Sequence, residues 1–173
     1  MKILATLTLF FGLSALTFAQ GGLEDMVKDW ERAKVYTLEY LEAMPADKYD
    51  LKPTPEMRSF AQQMLHLTDG NFGFVSAATG LASPVGMGAS EKSEDQSKAS
   101  VVRQVTAGYD FVINALKTMS PEKLSETTTL FGRFEMSKGK ALEKAFEHQT
   151  HHRGQTTVYI RLGGATPPQE KLF

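Results

Sequence analysis

Four stretches of this chain place apolar residues alternately four and three positions apart, the spacing that lines one face of an α-helix. Little in it alternates with the period of a strand. Met26, Trp30, Ala33, Thr37, Tyr40 and Met44 form the first stripe, which Pro45 ends by disfavouring helical geometry at Met44. Phe60, Met64, Leu67, Asn71, Phe74 and Ala78 form the second, with Thr54-Pro55-Glu56 read as N-cap, N1 and N2 of that helix. Val102, Val105, Tyr109, Val112, Leu116 and Met119 form the third, opened by a capping box at Ser93-Glu94-Asp95-Gln96. The fourth runs from Lys138 to Leu162 and stops at Gly163-Gly164. Four amphipathic helices of similar length predict an all-α four-helix bundle. The Gly- and Ser-rich connection 79–92 leaves room for a crossover between the second and third helices, and Thr127–Ser137 reads as a long connection.

The fourth stripe departs from an ordinary core. It reads Ala141, Ala145, His148, His152, Gln155, Tyr159 and Leu162, so two imidazoles and an amide occupy its centre. Burying such groups without partners costs a few kcal/mol each, roughly 1–3 by mutational measures. His148 and His152 stand at i and i+4, one above the other, the spacing that lets two histidines share one metal ion. His66 lies beside the buried Leu67 on the second helix and supplies a third imidazole if the two faces meet. Three histidines leave positions open on a divalent ion, as in catalytic rather than closed structural sites. The alternative is a set of hydrogen-bonded core histidines.

His151 falls off the stripe and reads as a flanking or pocket residue. The segment lacks the His-Glu-x-x-His pattern of zinc proteases, because Gln149-Thr150-His151 separates the two ligands. Asp69 and Glu147 are placed to orient a ligand imidazole, or else are solvated surface charges. Phe131 and Phe134, with Arg133 between them, offer a wall or lid over the site, or simply pack on the bundle end. Arg153 and Arg161 suit the dipole at the end of the fourth helix.

Residues 1–19 carry a different signal. Met1-Lys2, an apolar run from Ile3 to Phe18, and Thr17-Phe18-Ala19 as a small-residue cut site have the layout of a cleaved signal peptide. An uncleaved membrane anchor is the alternative, but the run is shorter than the ~20 residues a spanning helix needs. Cleavage leaves 20–173 as one bundle domain, exported to the periplasm or beyond. Losing Lys2 reduces the 19 basic residues to 18, against 20 acidic ones. That balance lacks the basic face of a nucleic-acid binder. The chain has no cysteine, so disulfides and a thiolate nucleophile are excluded.

The segment His148-Gln149-Thr150-His151-His152-Arg153-Gly154-Gln155, followed by Val158 to Gly164 and Pro167-Pro168, resembles the DinB-like superfamily. Lys52 to Ser59, leading into His66, is similar to that family's entry into its second helix. The resemblance covers Leu23 to Pro168. It implies a four-helix bundle holding zinc or nickel on three histidines, which by position are His66, His148 and His152. It also implies either a metal-dependent hydrolase or a transferase acting on a low-molecular-weight thiol. The thiol-using relatives work in the cytoplasm, which a signal peptide contradicts.

Together these readings predict an exported enzyme whose divalent ion activates water or a thiol against a small-molecule substrate. A non-enzymatic metal-binding or stress-related protein is the competing class. No DNA or RNA partner and no lasting membrane insertion are expected. Side-by-side packing of two bundles is compatible with the sequence.

Overall fold

A computed structural model describes residues 22–173 in full, together with the backbone of the first helix from Ile3. The expected leader 1–19 and its cut after Ala19 lie outside the fully described residues. The helices are α1 (Ile3–Ala43), α2 (Phe60–Thr79), α3 (Lys98–Thr118) and α4 (Lys138–Leu162). Among the described residues no helix is long and apolar enough to cross a membrane.

Two of these helices begin later than the sequence predicts. Met57 N–H turns back onto the Thr54 carbonyl, and α2 starts at Phe60 under a Ser59–Gln62 capping box. Its first free amides, Phe60 and Ala61, donate to the Leu51 and Tyr49 carbonyls, so the preceding segment does what another helical turn would have done. In the same way Ser97 N–H donates to the Asp95 carboxylate, and this local turn moves the N-cap of α3 from Ser93 to Ser97.

Thr127–Ser137 is not an irregular connection. β1 (Thr127–Leu130) pairs antiparallel with β2 (Phe134–Ser137). Phe131 and Gly132 both have positive φ, 52° and 68°, under an Arg133 N–H to Leu130 carbonyl bond, and the pairing of Leu130 with Phe134 makes the connection three residues, 131–133. The alternation is too short, at four residues a strand, to stand out from the sequence. Thr128 Oγ1 donates to the Ala77 carbonyl, fixing the hairpin on the C-terminal half of α2.

α1 packs on α3 and α4, and α2 packs on the same two helices from the other side. α1 and α2 therefore occupy one diagonal of the bundle, and α3 and α4 the other. The α2–α3 connection joins neighbours and is not the crossover. Segments 44–59 and 119–137 take the diagonal steps. Trp30 of α1 sits edge-on to Tyr109 of α3 and Phe146 of α4, with ring centroids 5.7 and 5.4 Å away, at the centre of the apolar cluster.

α4 is buried on two faces rather than along one stripe. Ala141, Ala145, His152 and Tyr159 follow the predicted stripe, whereas Leu162 is exposed. Leu142, Gln149, Arg153, Thr156 and Ile160 make a second buried face. A helix touching partners on both sides needs more than the usual apolar arc of about 100°.

Candidate metal centre

α2 and α4 bring His66, His148 and His152 together. Each ring offers a nitrogen, and the three nitrogens lie within 4.8 Å of one another. Ring centroids are 4.3 Å apart for His148–His152, 4.5 Å for His66–His152 and 5.3 Å for His66–His148. The α2–α4 contact is close enough for this because position 70 has no side chain. A Cβ there would collide with Cε1 and Nδ1 of His148.

Protonation favours ligation. Burial, followed by the neighbouring imidazoles, pushes His148 down to about 4 and His152 down to about 3. Both rings are neutral at pH 7 and keep a lone pair. Nδ1 of each is buried without a hydrogen-bond partner among the described residues, an arrangement that costs stability unless something binds there. The third ring is oriented differently. His66 Nδ1 lies 2.9 Å from Glu91 Oε2, and a carboxylate only accepts, so Nδ1 carries the proton and Nε2 is left free. Three imidazoles, one oriented by a carboxylate, are a donor set that fits a divalent ion.

Glu91 is the residue at this cluster that the sequence does not reveal. It lies just after the Gly- and Ser-rich part of the α2–α3 connection, outside any periodic stripe. Its other oxygen, Oε1, accepts from Arg58 Nε at 2.7 Å. Burial raises the carboxyl, but the bonds and charges of Arg58 and His66 outweigh it and hold Glu91 below its usual range. Asp69 does not touch a histidine. Its carboxylate accepts the backbone N–H groups of Ser90 and Glu91 at 3.0 and 2.9 Å and so pins the loop that carries Glu91.

The remaining expected residues divide. Glu147 is exposed, pairs with Lys144 at 2.5 Å and makes no contact that orients a ligand. His151 is exposed and bonds Gln155 at 2.9 Å, with its ring edge-on to His152, which makes it a flanking residue. Phe131 packs edge-on to Phe74, and Phe74 lies tilted against His148, at 4.9 and 5.3 Å between centroids, so this hairpin residue walls the site through one intermediate ring. Phe134 is exposed, with the Arg133 guanidinium 5.4 Å from the centre of its ring. Arg153 is buried rather than at a solvated helix end. Its Nη1 donates to Gln149 Oε1 at 3.1 Å and its guanidinium lies 4.6 Å from the centre of the Tyr36 ring.

A polar depression of about 410 Å³ opens beside Glu91, between Arg58, Gln63, Gln155 and Tyr159. A larger groove of about 860 Å³ is lined by Leu23, Val27, Leu116 and Met119, and none of the three histidines lines either hollow.

The model of the DinB family matches residues 16–172. The chain belongs to the DinB family. Solved structures share its fold. A DinB-like protein from Bacillus cereus superposes with a TM-score of 0.75 at 19% identity, covering 86% of this chain and 97% of that one. A DinB-like protein from Bacillus subtilis gives 0.68 at 20% identity, with 84% and 96% covered. YfiT from Bacillus subtilis, described as "a probable metal-dependent hydrolase with an unusual four-helix bundle topology", gives 0.63 at 15% identity, with 83% and 89% covered. No curated protein matches the sequence.

Proposed function

We propose that this DinB-family chain is an exported metal-dependent enzyme of the hydrolase type, with one divalent ion, zinc or nickel, held by His66, His148 and His152. The convergence of three imidazoles, two of them with unpartnered buried nitrogens, carries the reading. A divalent ion supplies Lewis acidity and lowers the pKa of a coordinated water from 15.7 to about 7. The chain's own part is to hold the ligands and admit a substrate. Glu91 orients His66 and, with its carboxyl depressed by two partners, is a poor proton acceptor. The His66 side chain is 28% exposed and a depression opens beside its partner Glu91, which favours turnover over a sealed storage or structural site.

Hydrolysis is preferred to thiol transfer because residues 1–19 read as an export signal, away from cytoplasmic thiols. The description of YfiT points the same way. Elemental analysis of the purified protein, followed by assays on ester, amide and phosphoester substrates, tests the proposal. One divalent ion per chain, with hydrolysis lost to chelator and restored by zinc or nickel, is the expected result. A protein that takes up no ion overturns it. For export, N-terminal sequencing from a bacterial host should begin near Gln20, and an intact Met1 in the membrane fraction counts against it.

A further inference from the structure

The depression beside Glu91 contains two features that no internal contact explains. Arg58 uses only Nε, donated to Glu91. Among the described residues its Nη1 and Nη2 donors have no partner, and its side chain is 40% exposed. The arginine is held in place from behind, since Tyr159 Oη donates to its backbone carbonyl at 3.0 Å. Gln63, 3% exposed, donates Nε2 to Gln155 while its own Oε1 is enclosed without a partner. A buried carbonyl oxygen left unpaired costs roughly 1–3 kcal/mol, so a group with an N–H or O–H is the natural complement. The free edge of a guanidinium matches a carboxylate through two parallel bonds.

The geometry points to this depression as a substrate subsite for small carboxylates that carry an N–H donor next to the acid, as an N-acylamino acid does. Arg58 takes the carboxylate, and Gln63 Oε1 takes the donor. The assignment deepens the hydrolase reading and rests on it for the identity of the reaction. The Glu91 carboxylate bridges Arg58 and His66, so a molecule anchored on Arg58 sits one carboxylate away from the histidine cluster. About 410 Å³ is within the range of small-molecule sites. Glu56 opposes an anion, but it stands at the fully exposed rim with its carboxyl bonded to Thr54, where water screens its charge.

Binding of N-acetylglycine and of its neutral amide, N-acetylglycinamide, to the zinc-loaded protein tests this by calorimetry. N-acetylglycine should bind at least about tenfold more tightly, the loss expected when a charge-assisted pair is removed. Arg58→Gln should abolish that preference, and Arg58→Lys, which keeps the charge without the fork, should retain part of it. Zinc content is measured for every variant. Equal binding of both compounds, binding of neither, or a preference unchanged in Arg58→Gln overturns the subsite, the last because the carboxylate would then sit on the metal. A wild-type protein that takes up no zinc defeats the metal reading alone. The same comparison on that zinc-free protein then decides the subsite.

Discussion

Glu91 and His66, twenty-five positions apart, meet at 2.9 Å between Oε2 and Nδ1. This contact fixes the tautomer of the only candidate ligand contributed by α2. It depends on a loop whose backbone is tied down by Asp69. A loop thus sets the orientation of a helical residue, and its removal should be felt at the metal rather than in the core.

Glu91→Gln should lower zinc affinity by about 10–100-fold, the usual cost of removing an orienting partner from a histidine ligand. Asp69→Ala should lower it less, because Arg58 and His66 still hold the Glu91 side chain. Glu147→Gln should leave it unchanged. Competition with a chromophoric chelator measures all three, and a loss in Glu147→Gln equal to that in Glu91→Gln would show the wrong carboxylate has been chosen.

Replacing His66, His148 or His152 singly by Ala should abolish stoichiometric metal binding, while His151→Ala should retain it. Elemental analysis after gel filtration reads the result. Loss on changing His151 would mean that the wrong edge of α4 faces the ion.

Gly70→Ala separates metal binding from folding. The new Cβ collides with the movable His148 ring rather than with backbone, so the ring swings away and zinc affinity drops. The helix itself gains up to about 1 kcal/mol of propensity from Gly to Ala. The melting temperature of the chelated variant should therefore stay at or above wild type, measured by circular dichroism. A variant that binds zinc normally would place His148 outside the site.

Acid should destabilise the metal-free protein. In the unfolded chain both α4 histidines titrate near 6.5, while in the fold His148 is held at about 4 and His152 at about 3. Between those values the unfolded state binds more protons, so stability rises with pH across the window. The contribution is complete above about pH 6.5 and disappears as pH falls towards 4 and then 3. Urea midpoints followed by Trp30 fluorescence, between about pH 7 and about pH 4.5, should fall, with up to about two protons taken up on unfolding. The double variant His148→Phe, His152→Leu should flatten that slope, and an unchanged slope would assign it to other groups.

Residues that repeat with the helix period were legible in advance. His148 and His152 stood out because they interrupt an apolar stripe, and His66 because it adjoins Leu67 on another. Glu91 gave no such signal, since a loop residue is placed by tertiary bonds to Asp69 and Arg58 and not by any period. Arg153 was misplaced for a related reason. A charged residue near a helix end is usually solvated, and only its packing on Tyr36 and its bond to Gln149 bury it. At Thr54 and Ser93 the cap-like residues make turns of their own, and the helices wait for Ser59 and Ser97.

α2 and α4 lie far apart in the chain and have the hairpin, α3 and two connections between them. A single ion shared by His66 and the α4 pair would join these distant segments as a cross-link does. The entropy saved by closing a long loop grows with the logarithm of its length. In a chain with no cysteine, such a coordination bond would take the place of a disulfide among the described residues. Loss of the ion should then appear as faster unfolding of the whole bundle, not as fraying at the site.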